Sequence, residues 1–239
     1  MLTLRLARTL PICLFAAAGA GAQIEADNFS ATVTLTSDYV YRGVSQSSED
    51  PAIQGSFSFE TEAGFIAGLW ASSVQFPTAG QRDSPRDLEL DYFVGYRLDL
   101  GPAFSGEVGV THYSYPGADT AFDYDYSEVR LTIGFEDAAA AAVAFADDAF
   151  GHGEESVSYE LLGRLPLGGR LEAVAGVGYY DLQQVFGDSY LYWSLDLSRV
   201  LGRFTLSGTY IDTGGAAETI WGSRLTGERL VVSLSASIH

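Results

Sequence analysis

The chain has 239 residues, with 13 Arg and no Lys against 31 Asp and Glu, a formal net charge of −18, and 47% hydrophobic residues. An aromatic share of 13% excludes a disordered acidic tail, which would be poor in such residues. An acidic balance without a single lysine leaves no basic face for a phosphate backbone, so nucleic acid is excluded as a partner.

The first element in chain order is an export signal at residues 1–22. Arg5 and Arg8 give the positive start, residues 10–18 an apolar stretch too short to span a bilayer, and Ala20-Gly21-Ala22 a small-residue cleavage site. The expected division is therefore a signal peptide at 1–22, read by the Sec pathway, and one barrel domain at 23–239. Cys13, the only cysteine, lies in the removed segment behind Pro11-Ile12, where a lipoprotein acceptor would need a small residue. The mature chain then has no disulfide and no thiolate, so hydrogen bonds and packing must hold it.

Beyond residue 22 no apolar run reaches the ~18 residues of a membrane helix, and the dominant period is two. From 29 to 41 the odd positions run Phe29, Ala31, Val33, Leu35, Ser37, Tyr39, Tyr41, while Ser30, Thr32, Thr34, Thr36, Asp38 and Val40 alternate with them. At 87–97, Leu88, Leu90, Tyr92, Val94 and Tyr96 oppose Asp87, Glu89, Asp91, Phe93, Gly95 and Arg97, and at 230–238 Leu230, Val232, Leu234, Ala236 and Ile238 oppose Val231, Ser233, Ser235 and Ser237. About twelve such segments follow one another, near 29–42, 51–61, 65–74, 87–98, 103–113, 125–136, 138–146, 155–165, 170–180, 189–198, 203–212 and 229–238. The alanine run 138–146 is the weakest, and a short helix there is the alternative.

The expected strands are close to the length of a tilted membrane strand and longer than the ~5 to 6 residues common in soluble sheets. Connections after odd-numbered strands are long and polar, at 44–50, 75–86, 114–124, 147–154, 181–188 and 213–228; those after even-numbered strands are short. This asymmetry predicts an all-β fold, a transmembrane antiparallel barrel with short periplasmic turns and longer extracellular loops, in the outer membrane of a Gram-negative bacterium. Aromatics expected at strand ends (Tyr39, Tyr41, Phe76, Tyr96, Tyr113, Tyr179, Tyr210) favour it over a soluble exported β-barrel binding protein, whose strands also alternate. The expected partners are membrane lipid, lipopolysaccharide, small solutes and the barrel assembly machinery.

The polar phase of the strands carries Asp38, Arg42, Glu60, Asp87, Glu89, Asp91, Arg97, Glu107, Glu128, Arg130, Glu160, Glu172 and Asp196, expected to line a lumen because a charge facing lipid costs a few kcal/mol. Ten acids against three Arg cannot all be neutralised, which favours an open, cation-preferring diffusion channel over a non-conducting barrel plugged by ion pairs.

No catalytic constellation is found, so no enzymatic activity is expected. His112 falls on the apolar phase with Phe104, Val108 and Val110, His152 in a glycine-flanked loop, and His239 at the end, none with a placed nucleophile. Asp119, Asp123, Asp125 and Glu128 cluster, yet lack the turn glycine and terminal bidentate Glu of a calcium loop. Neither a metal nor another cofactor is expected.

Ser37-Asp38-Tyr39, Tyr41-Arg42-Gly43, Ser45-Gln46-Ser47, Asp50-Pro51-Ala52, Gln54-Gly55, Gly64-Phe65, Ala67-Gly68 and Trp70 resemble the opening of the TorF-type porins of Proteobacteria, and residues 113–117 (Tyr-Ser-Tyr-Pro-Gly) resemble a second piece. The match is dense over residues 33–70, and the resemblance implies an outer-membrane barrel of porin type with no stated substrate. Outer-membrane barrels usually finish on an aromatic in phase with the lipid-facing residues; here the lipid-facing phase ends at Ile238, and His239 falls on the other face.

Overall fold

The computed structural model describes residues 29–76, 87–116 and 124–238, so the segment 1–22 expected to be an export signal and His239 lie outside the described residues. The strands are β1 (Phe29–Thr36), β2 (Val40–Tyr41), β3 (Val44–Ser45), β4 (Ala52–Glu60), β5 (Phe65–Val74), β6 (Asp87–Asp99) and β7 (Phe104–Ser114). They continue as β8 (Tyr126–Phe135), β9 (Ala139–Ala146), β10 (Ser156–Gly168), β11 (Leu171–Leu182), β12 (Asp188–Leu201), β13 (Phe204–Thr213) and β14 (Arg229–Ile238). Twelve of them, β1 and β4 to β14, close into one barrel. Each is antiparallel to its chain neighbour, and β1 meets β14 in the register Ala31↔Ile238 to Thr36↔Ser233, so no edge is left unpaired.

The alternation in the sequence becomes the two faces of this wall. Leu35, Phe57, Val94, Val110, Leu161 and Leu195 point outward and are exposed, whereas Thr34, Thr36, Glu89, Asp91, Glu128 and Ser233 point inward and are buried. Exposed large apolar side chains occur on each of the twelve wall strands, so the apolar belt continues around the outside. The alanine segment is a strand: β9 is hydrogen-bonded on both sides, Phe135↔Ala139 to β8 and Ala146↔Ser156 to β10. Closing the ladder overrides the modest strand preference of alanine.

The first strand differs from expectation. It leaves the wall at Thr36, six residues before the predicted end at 42, and the alternation beyond belongs to a separate hairpin, β2 and β3, folded into the barrel mouth. Its turn is Arg42-Gly43, with φ of 47° and 82°, the doubly positive signature of a tight two-residue hairpin turn. Glycine is required at position 43, since a Cβ there would lie 2.4 Å from the Thr213 side chain. Two short helices, α1 (Gln183–Phe186) and α2 (Gly215–Trp221), and a 3₁₀ turn at Ala149–Gly151 occupy the same end. Phe150 contacts the rings of Tyr126, Phe186 and Trp221, forming an aromatic cap over the hairpin.

Candidate functional site

The lumen is the candidate site, and its two halves differ. At the long-loop end the hairpin and cap fill it: Tyr39 packs with Ala52, Trp70 and Val74, while Val44 packs with Tyr180, Leu182, Tyr190, Tyr192, Ala217 and Leu225. At the short-turn end, Ser56, Ser58, Glu60, Arg97, Glu107, Thr132, Arg164, Glu172 and Asp196 are half-buried around a polar vestibule.

Asp38 anchors the base of the hairpin. Its Oδ1 accepts from Ser45 Oγ at 2.6 Å and Ser47 Oγ at 2.9 Å, and its Oδ2 from Arg229 Nη1 at 3.0 Å. Ser45 N donates to the Leu225 carbonyl at 2.9 Å and Ser48 Oγ to the Gln75 carbonyl at 2.7 Å, which ties the hairpin to two neighbouring loops.

Arg42 sits at the hairpin tip with 1% of its side chain exposed. Its Nη2 donates to Glu128 Oε1 at 2.8 Å, and its Nε lies 3.8 Å from Glu160 Oε1. Its guanidinium carbon is 4.4 Å from the centre of the Tyr180 ring and 4.8 Å from that of Tyr41. Glu160 is shared, pairing with Arg130 and accepting from Tyr192 Oη at 2.6 Å. Tyr192 reaches it by lying across Gly178, where a Cβ would come within 2.2 Å of the ring. In the vestibule Arg97 pairs with Glu60 and lies 3.5 Å from Glu107, and Arg164 lies 3.5 Å from Glu172.

The count of three Arg is therefore corrected to five. Arg164 and Arg229 also pair with acids, and six of the ten acids (Asp38, Glu60, Glu107, Glu128, Glu160, Glu172) lie within ion-pair reach of an Arg. Alternation places Arg164 on the same phase as Glu160 and Leu162, so that signal was present in the sequence. Arg229 begins its strand at the outer end, where its reach to Asp38 depends on the inward fold of the hairpin.

Glu89, Asp91, Asp87 and Asp196 have no Arg in ion-pair contact among the described residues. Asp196 accepts from Thr209 Oγ1 at 2.7 Å, and Glu89 from Tyr115 Oη at 3.1 Å. Burial, reinforced by Glu89 and Asp91, pushes the Tyr115 phenol well above its ordinary value and keeps it a donor. Glu89 and Asp91 are buried, each with one carboxylate oxygen lacking a hydrogen-bond partner.

Other expectations resolve individually. His112 is exposed on the outer face with Nδ1 3.1 Å from Ser127 Oγ, and His152 is exposed in the cap. The acidic cluster divides: Asp125 accepts from Ser114 Oγ and Tyr115 N, each at 2.8 Å, and Glu128 turns inward to Arg42. Asp119 and Asp123 lie outside the described residues, and no group of three or more potential metal ligands occurs among the described ones.

The barrel is similar in fold to a KdgM porin, with a TM-score of 0.55 at 10% identity, covering 88% of this chain and 99% of that one. A second structure, "KdgM porin in complex with disordered oligogalacturonate", gives 0.51 at 10% identity with the same coverage. Outer membrane phospholipase A from Escherichia coli gives 0.47 at 16% identity, covering 88% of this chain and 90% of that one. No curated protein matches the sequence. The sequence model described as "Bacterial protein of unknown function (Gcw_chp)" matches residues 19–238, nearly the whole chain, and the protein belongs to that family.

Proposed function

We propose that the protein is an outer-membrane barrel acting as a gated, narrow channel for small cationic or neutral solutes, closed in the conformation described. The observation that carries this reading is a closed barrel with an exposed apolar exterior and a charged interior. An apolar outer wall fits lipid and lipopolysaccharide, and the half-buried polar vestibule fits water and solute. The resemblance of residues 33–70 to TorF-type porins and the fold likeness to KdgM support the same reading, and export through the Sec pathway with assembly by the barrel machinery belongs to the proposal.

Ten acids against five Arg leave an excess negative potential inside low-dielectric walls, which concentrates cations. In planar bilayers under a salt gradient we expect cation-preferring reversal potentials that fade toward 1 M salt, because the Debye length of ~10 Å at 0.1 M shrinks to ~3 Å. Asp87→Asn with Glu89→Gln and Asp91→Asn should lower the cation-to-anion ratio, and anion preference in the wild type would contradict the proposal. A second reading, a non-conducting structural barrel, is favoured by the hairpin packed in the mouth. It would prevail if neither the wild type nor a variant with residues 40–45 deleted carries current.

A further inference from the structure

We infer that the pocket holding the Arg42 side chain is a binding site for guanidinium-bearing solutes, and that Arg42 occupies it as an internal ligand. The inference rests on the channel reading and names the solute class of that lumen.

Apart from Tyr41, the pocket is made by the barrel wall. Glu128 comes from β8, Glu160 from β10 and Tyr180 from β11, whereas Arg42 sits on a turn that contributes nothing to the wall. Two carboxylates beside an aromatic face form a slot suited to a flat, weakly hydrated cation. The charge count also fits a single positive group. Glu160 is already paired with Arg130, so withdrawing Arg42 leaves Glu128 as the one carboxylate of the slot without a cation.

Arg42 fills this slot imperfectly. Its Nη1 and Nε have no hydrogen-bond partner, its second carboxylate is 3.8 Å away, and its φ of 47° is a conformation that side-chain-bearing residues rarely adopt. A free guanidinium bears no backbone strain and chooses its own orientation, so it competes for the slot and favours the displaced hairpin.

The test is titration calorimetry of the folded barrel in detergent with methylguanidinium, using methylurea as the neutral look-alike, alongside bilayer currents from the same preparations. Arg42→Ala should bind one methylguanidinium at least about tenfold more tightly than wild type and ignore methylurea. Its current should fall as methylguanidinium is added. Equal binding to wild type and Arg42→Ala, or equal binding of methylurea, would overturn the inference. If Arg42→Ala fails to fold, Arg42→Gln is read by the same criteria. Selective binding without current in any variant would remove the channel and keep the site, while current without selective binding would remove the site and keep the channel.

Discussion

Glu128→Gln is expected to destabilise the folded barrel by about 3 to 5 kcal/mol, the cost of removing one partner from a buried ion pair. The substitution keeps the shape and removes the charge facing Arg42 Nη2 at 2.8 Å. The remaining neighbour, Glu160, stands 3.8 Å from Arg42 and is already engaged by Arg130 and Tyr192. Glu60→Gln is the control: that carboxylate also pairs with an Arg but is 41% exposed, and solvent screening holds its cost to about 0 to 1 kcal/mol. Both values are read from reversible urea unfolding in detergent. Equal costs would contradict the assignment of Arg42–Glu128 as a buried pair and Arg97–Glu60 as a screened one. Release of the hairpin would relieve part of the Glu128→Gln cost and raise the bilayer current.

Val94→Arg should block or slow assembly, because Val94 is 59% exposed on the outer face in the middle of β6 and a charge there costs ~2 to 4 kcal/mol at the bilayer midplane. Ser58→Arg should assemble normally, since Ser58 is half-buried on the inner phase of β4, two residues from Glu60, with water and a carboxylate within reach. Folding into lipid vesicles, followed by the gel shift between unheated and boiled samples, separates the two. Normal assembly of Val94→Arg with failure of Ser58→Arg would reverse the assignment of inside and outside.

Twelve strands were legible in the sequence because closure in lipid imposes one rule on every residue of the wall: each must alternate, and each must be paired. Even the alanine segment obeys it, Ala140, Ala144 and Ala146 being buried inward and Ala141 and Phe145 exposed outward. The rule says nothing about chain that leaves the wall. The alternation read from the sequence runs on through Tyr41, yet Ser37 N bonds the Val232 carbonyl at 2.9 Å and the chain then turns into the mouth. The residues that resemble the TorF-type opening at 37–47 are the ones that build this hairpin.

Aromatics show the same limit. Tyr96 and Tyr179 are exposed on the outer face, but Tyr39 and Tyr113 are buried in the lumen, with Tyr41 and Phe76 packed against them. Tyr113 shares the phase of Glu107 and Thr111, so its inward direction was available from alternation; the direction of Tyr39 was not, because it depends on Ser47 and Asp38 meeting across the hairpin. Ion pairing was hidden for a related reason: Arg229 and Asp38 are 191 residues apart and come together through closure and the inward fold.

A lipid-facing wall around a filled polar lumen is tested most directly by the oxygen accessibility of spin labels along β6. Residues 23–239 contain no cysteine, so single cysteines at 92 to 97 can be labelled one at a time in the barrel folded into lipid vesicles. Tyr92, Val94 and Tyr96 are exposed outward, whereas Phe93 is buried and Gly95 and Arg97 are half-buried inside. High oxygen accessibility is expected at 92, 94 and 96 and low accessibility at 93, 95 and 97. A flat profile, or one of opposite phase, would contradict it.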